Sequence, residues 1–205
     1  MIAVDLPSHA KSEKFDNISL ELYVNVVKQL VSSLNIGDVV LCGHSLGGAI
    51  VLSYHFKYPK DVAGLVLCAS GARLRVVDFI FDKLRNNYKE YLEYLPLGNF
   101  FIKTSNIIKE DLLKQVADMD PEVVYVDFKI CNEFDVMDKI SSINIPCLII
   151  CGNKDTLTPI KYSTYLKKNI KTSELIIINR AAHKVMLEKP DEVNKAIKEF
   201  IRKFL

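Results

Sequence analysis

The sequence predicts an α/β fold, a mostly parallel sheet flanked by helices and interrupted by one helical insertion. Three observations carry this expectation. Four short apolar runs, at 38–43 (DVVLCG), 62–69 (VAGLVLCA), 145–152 (IPCLIICG) and 174–179 (ELIIIN), are continuous rather than alternating, as strands buried on both faces of a parallel sheet require. Helical periodicities separate and follow these runs, so strands and helices alternate. The alternation then lapses from Gly71 to about Ile143, where no strand pattern occurs.

Each element has its own signal. Residues 19–34 place Leu20, Val24, Val27, Leu30, Val31 and Leu34 on one helical face, and 190–204 repeat the pattern with Ala196, Ile197, Phe200, Ile201 and Phe204. Inside the interval, "VVDFIFDKLRNNYKEYLEYL", "KEDLLKQVADM" and "PEVVYVDFKICNEF" predict helices, interrupted by Pro96, Gly98 and Pro121. The interval is too long for a simple crossover. The expected organisation is therefore one domain of 205 residues: residues 1–70 as the first part of a core sheet, 71–143 as a helical cap, and 144–205 as the second part of the sheet. The cap segment holds more than half of the 19 aromatic residues. These either fill the small core that short helices need or, as Phe79, Tyr88, Tyr91, Phe100, Phe101 or Phe128, line an acyl pocket.

Composition excludes several classes. With 27 basic and 25 acidic residues the net charge is +2, which gives no electrostatic reason to expect nucleic acid. The basic residues of "KAIKEFIRKFL" fall on the solvated face of the terminal helix. Five cysteines (Cys42, Cys68, Cys131, Cys147 and Cys151) form an odd set, four of them in or beside strand-like runs, and read as small buried thiols in a reducing compartment. No CxxC or HExxH spacing suggests a metal. No stretch of about 18 apolar residues suggests a membrane span, and the expected location is the cytoplasm.

The chemistry centres on "VVLCGHSLGGAIV", residues 39–51. Gly43, Ser45 and Gly47 satisfy GxSxG, with an apolar strand before and a helical pattern after. A sharp strand-to-helix turn would push the serine hydroxyl out of the sheet, and the flanking glycines would avoid Cβ clashes in the bend. A serine hydroxyl is a weak nucleophile and needs a base that is itself oriented by an acid. Asp155 follows the run at 145–152 and His183 follows the run at 174–179, giving the order Ser, Asp, His.

On the segments "VDLPSHAKS", "GHSLGG", "GNKDTLTP" and "AAHKVMLEKP", the chain resembles the α/β-hydrolase superfamily, in its branch of small capped esterases, lipases and carbon–carbon bond hydrolases. The resemblance implies Ser45 as nucleophile, His183 as general base and then acid, and Asp155 as the group fixing the imidazole tautomer. It also implies the Leu46 backbone N–H as an oxyanion donor, no cofactor, and a small-molecule ester as substrate. A thioester, a carbon–carbon bond alpha to a carbonyl, or a receptor-like pocket without turnover would use the same residues. Each residue has a second reading: Asp155 as a cap for the helix opening at Thr158 and Pro159, and His183 as a satisfied surface histidine. His44 is expected to pack beside the nucleophile, and His9 to be structural.

In that family a His-Gly loop after the third strand supplies a second oxyanion donor. No such segment precedes Ile2 here, so the chain is expected to start at the fourth strand ("MIAVD"), through a truncated or misassigned start, as a piece cut from a larger protein, or with a partner chain completing the sheet. "VVLCG" would then be an apolar edge inviting self-association.

Overall fold

The computed structural model describes residues 1–204. In chain order, α1 (Leu20–Ser33) opens at Ser19, whose hydroxyl accepts the Leu22 N–H at 3.1 Å, a side-chain cap for an otherwise unpaired donor. It leads to β1 (Val39–His44), α2 (Leu46–Lys57) and β2 (Val62–Cys68). The helical segment follows as α3 (Asp78–Asn86), α4 (Tyr88–Asn99), α5 (Asn106–Ala117) and α6 (Pro121–Glu133). The chain then forms β3 (Cys147–Gly152), α7 (Ile160–Asn169), β4 (Ser173–Ile178), α8 (Val185–Glu188) and α9 (Pro190–Phe204).

The four strands form one parallel sheet in the order β1-β2-β3-β4. Side chains alternate across it, as the strand period of two requires. Leu65, Leu67, Cys147 and Ile149 join α1, α2 and α7 in one cluster, whereas Val66, Cys68, Leu148 and Ile150 join α8 and α9 in another. Every residue of β3 is buried, which is why its sequence is apolar throughout. All four strands expected from apolar runs are present, and the parallel α/β architecture is the one expected.

Four local expectations are corrected. "MIAVD" forms no strand: residues 1–6 lack regular structure, and Met1, Ile2 and Val4 are exposed. A strand needs a neighbour for its N–H and C=O groups, and the sheet offers this segment none. The first helix of the interval divides at Asn87, where φ is −157° and the side-chain oxygen accepts the Glu90 N–H at 3.1 Å, capping α4. Pro96 does not end a helix but lies inside α4. Cys42 is exposed rather than buried, because β1 pairs only with β2 and is half-covered, while the other four cysteines are buried. The apolar edge expected at "VVLCG" is thus present.

The helical segment carries its own core, in which Leu84, Tyr91, Leu95 and Val124 are buried against Tyr88, Phe128 and neighbours. Tyr88 stacks on Tyr91 at 5.6 Å and Phe128 meets Tyr91 edge-on at 6.1 Å, so three of the six aromatic candidates pack the segment itself. No helix among the described residues is long and apolar enough to cross a membrane.

Candidate active site

The site lies at the C-terminal ends of β1, β3 and β4, where three turns meet. At the end of β1 the chain reverses into α2 through Ser45, which sits at φ 52° and ψ −114°, a strained position for a residue with a side chain. The surroundings hold it there. Ser45 N–H continues the ladder to Cys68 O at 3.0 Å, while Ser45 O accepts both Gly48 N–H and the Ser70 hydroxyl at 2.9 Å. Leu46 is the first residue of α2, where the backbone N–H has no intrahelical acceptor.

The glycines divide differently from expectation. A Cβ on Gly43 would lie 2.1 Å from Gly47 O, so strand and helix cross there only because position 43 has none. Gly47 has open space around it, whereas a Cβ on Gly48 would meet Ser70 Oγ at 2.1 Å. The steric requirement expected at Gly47 therefore falls on its neighbour, which touches the serine that holds the bend.

Asp155 ends the turn after β3. Oδ1 accepts the N–H groups of Leu157 at 2.9 Å and Thr158 at 2.8 Å. Oδ2 accepts the Thr158 hydroxyl at 2.7 Å and faces His183 Nδ1 at 3.0 Å. The capping use weighed from sequence is present in modified form: Asp155 organises the turn ahead of α7 but not the first residues of that helix, whose entry at Pro159 has no side-chain cap. Oδ1 serves the turn alone, whereas Oδ2 serves both the turn and the histidine.

Both partners of this pair are buried. Burial pushes the Asp155 carboxyl up, but the His183 hydrogen bond and charge and the two Thr158 donors outweigh it and hold the carboxyl below its usual range. An ionised carboxylate can only accept. Nδ1 of His183 must then donate to it, which leaves Nε2 as the ring nitrogen not engaged by Asp155.

The turn after β4 carries His183 and leans on the Asp155 turn. Asn153 N–H donates to Ile178 O at 2.9 Å and Lys154 N–H to Ala181 O at 2.8 Å, and a Cβ at Gly152 would come within 2.3 Å of Ala181 O. His44 links this loop to the elbow: its Nε2 donates to His183 O at 2.9 Å, and the two rings lie 4.7 Å apart. Burial, with the charges of Lys184 and His183, pushes His44 well below its usual pKa, so it is a neutral donor. The contacts observed for it are with the His183 carbonyl and ring. Ser45 Oγ makes no hydrogen bond to the His183 ring among the described residues.

His9 stands apart. Its Nε2 lies 2.9 Å from Asp127 Oδ2 on α6 and its Nδ1 3.0 Å from Pro7 O, while Asp127 Oδ1 accepts the Tyr23 hydroxyl at 2.6 Å. It ties the N-terminal loop and α1 to the helical segment, a structural use. Sequence reasoning passed over Ser70 and Glu188. Ser70 stands in "CASGAR", just past β2, and Glu188 follows His183 by five positions inside a quoted segment. No cluster of three or more His, Cys, Asp or Glu side chains able to hold a metal ion occurs among the described residues.

Residues 7–190 match the Hydrolase_4 family, described as serine aminopeptidase, S33. The proline iminopeptidase of Saccharolobus solfataricus is 30% identical over 193 residues, covering 80% of this chain, which spans 62% of that protein's length. The pimeloyl-[acyl-carrier protein] methyl ester esterase of Wigglesworthia glossinidia brevipalpis is 28% identical over 222 residues, covering 98% of this chain and 83% of its own. Among solved structures, a thermophilic esterase superposes with a TM-score of 0.88 at 32% identity, over 97% of this chain and 79% of its own.

Proposed function

The chain belongs to the Hydrolase_4 family of α/β-hydrolases, described as serine aminopeptidase S33, and from that premise we propose that it is a serine hydrolase cleaving carboxylic esters through an acyl-enzyme on Ser45. The observation that carries this reading is the buried Asp155–His183 pair, 3.0 Å between Oδ2 and Nδ1, joined through His44 to the strained Ser45 turn. Asp155 fixes the tautomer, so His183 Nε2 takes the Ser45 proton as Oγ attacks the ester carbonyl. The developing oxyanion lies at the start of α2, where the Leu46 N–H donates and the positive helix end favours negative charge. The imidazolium returns its proton to the leaving alkoxide, and a water then repeats the attack on the acyl-enzyme, with His183 again as base. The Ser45–His183 hydrogen bond that this mechanism uses forms around the bound substrate, since catalytic hydrogen bonds are commonly long or misaligned without one.

The esterase reading draws support from the thermophilic esterase and the methyl ester esterase among the relatives. A second reading, hydrolysis of the amide after an N-terminal proline, is favoured by the iminopeptidase relative. An amide needs more help at its leaving group, since an amine departs only when protonated. Parallel assays of p-nitrophenyl butyrate and a prolyl arylamide separate the two. Turnover of the butyrate, lost in Ser45→Ala and His183→Ala, is the expected result; turnover of the arylamide alone would favour the peptidase, and cleavage that survives Ser45→Ala would refute both.

A further inference from the structure

We propose that Glu188 is a positioning residue that fastens the turn after α4 to the loop bearing His183, so that the imidazole's placement depends on where the helical segment sits. The inference rests on the proposed catalytic role of His183.

Glu188 ends the single turn of α8, and its N–H donates to Lys184 O at 3.1 Å, which folds its side chain back beneath the loop it follows. The carboxylate gathers three donors from two parts of the chain. Oε2 accepts the Ala182 N–H at 2.6 Å, and Oε1 accepts the Phe101 N–H at 2.7 Å together with the Thr104 hydroxyl. A fourth link runs alongside, from Lys184 N–H to Asn99 O at 2.9 Å, and the buried Asn99 side chain donates to Leu95 O at 2.8 Å. The peptide N–H groups immediately before and after His183 are thus both engaged, one by Glu188 and one by Asn99. Both acceptors are also anchored in residues 95–104.

The last turn of α4 reaches the acid side of the site, since a Cβ on Gly98 would come within 3.0 Å of Leu157 Cδ2, and Leu157 N–H is bound to Asp155. One short stretch of the helical segment therefore engages the backbone of the His183 loop and lies against the Leu157 side chain of the Asp155 turn. Only a carboxylate suits the junction. Three donors converge on two oxygens, and glutamine, with one oxygen and an NH2 group, would set donor against donor on one side. Hydrogen bonds to a charged acceptor are also the stronger kind.

The test uses the full chain and the isosteric Glu188→Gln variant. Hydrogen–deuterium exchange is expected to rise together, about tenfold, in residues 99–104 and 181–184. On p-nitrophenyl butyrate kcat is expected to fall about tenfold or more with KM within about twofold, because orientation of the base and not ester binding is lost. Faster exchange in neither loop, or in one alone, overturns the coupling; joint exchange with wild-type kcat overturns the positioning role. If Glu188→Gln does not fold, Thr104→Val removes one contact from the helical side, and exchange then confined to 99–104 overturns the coupling. Absence of ester turnover in the wild-type chain would count against the esterase reading, and the exchange result would still decide the clamp.

Discussion

Asp155 Oδ2 lies 3.0 Å from His183 Nδ1 and accepts the Thr158 hydroxyl at 2.7 Å, so a single oxygen engages both the imidazole and the turn that carries Asp155 itself. Asp155→Asn keeps the size but offers an NH2 or a neutral oxygen to Nδ1, which releases the tautomer. Turnover is expected to fall by about 10³ to 10⁴, the scale seen when a triad acid is neutralised, with KM little changed. The same carboxyl is held below its usual range in the folded chain. Its contribution to stability is therefore present above the unfolded pKa and lost as pH falls through the folded one. The difference in unfolding free energy between wild type and Asp155→Asn, from urea titrations, should shrink on acidification.

His9 obeys the opposite sign. Hydrogen bonding to Asp127 raises its pKa against the opposing effect of burial. A raised histidine contributes stability that is full below its unfolded pKa, about 6.5, and is lost as pH rises through the folded value. The difference in unfolding free energy between wild type and His9→Gln should be larger at pH 5.5 than at pH 8.5, within about 1 kcal/mol for a partly exposed pair.

Ser70 holds the carbonyl of Ser45 at 2.9 Å from a buried position. Ser70→Ala removes that donor and relaxes the strained turn. A stability cost of about 1 kcal/mol is expected, with kcat lowered more than KM is raised, in steady-state assays.

The glycines of the elbow are expected to separate cleanly in thermal melts. Gly43→Ala drives a Cβ into the Gly47 backbone at 2.1 Å, where neither side can yield, and should destabilise by more than about 3 kcal/mol. Gly47→Ala meets nothing and lies in the first turn of α2, so its melt should stay near that of the wild type or above it.

Cys42 is the exposed thiol, and burial pushes the thiols of Cys131 and Cys147 up to about 12. Ellman's reagent should titrate one thiol in the native protein and the remaining four only after denaturation.

The sheet was legible because parallel strands must be apolar on both faces, and β2 and β3 display that without interruption. The order Ser45, Asp155, His183 could be read because each stands just past such a strand. What sequence could not reveal depended on neighbours. "MIAVD" has the composition of a strand but nothing to pair with; Cys42 belongs to an apolar run that the sheet leaves half-covered. Gly47 and Gly48 look alike in a motif, and only the position of Ser70 decides which of them is sterically bound. Glu188 makes its contacts across 84 to 87 positions of chain as well as within its own loop, a relationship that no local pattern encodes.

The most direct measurement is the intact mass of the protein after exposure to a fluorophosphonate, followed by peptide mapping. One adduct on Ser45, formed in the wild type, absent in Ser45→Ala and strongly slowed in His183→Ala, is the expected result. A folded wild-type chain that takes up no label, or a label carried on another residue, would contradict the assignment of Ser45 as the nucleophile.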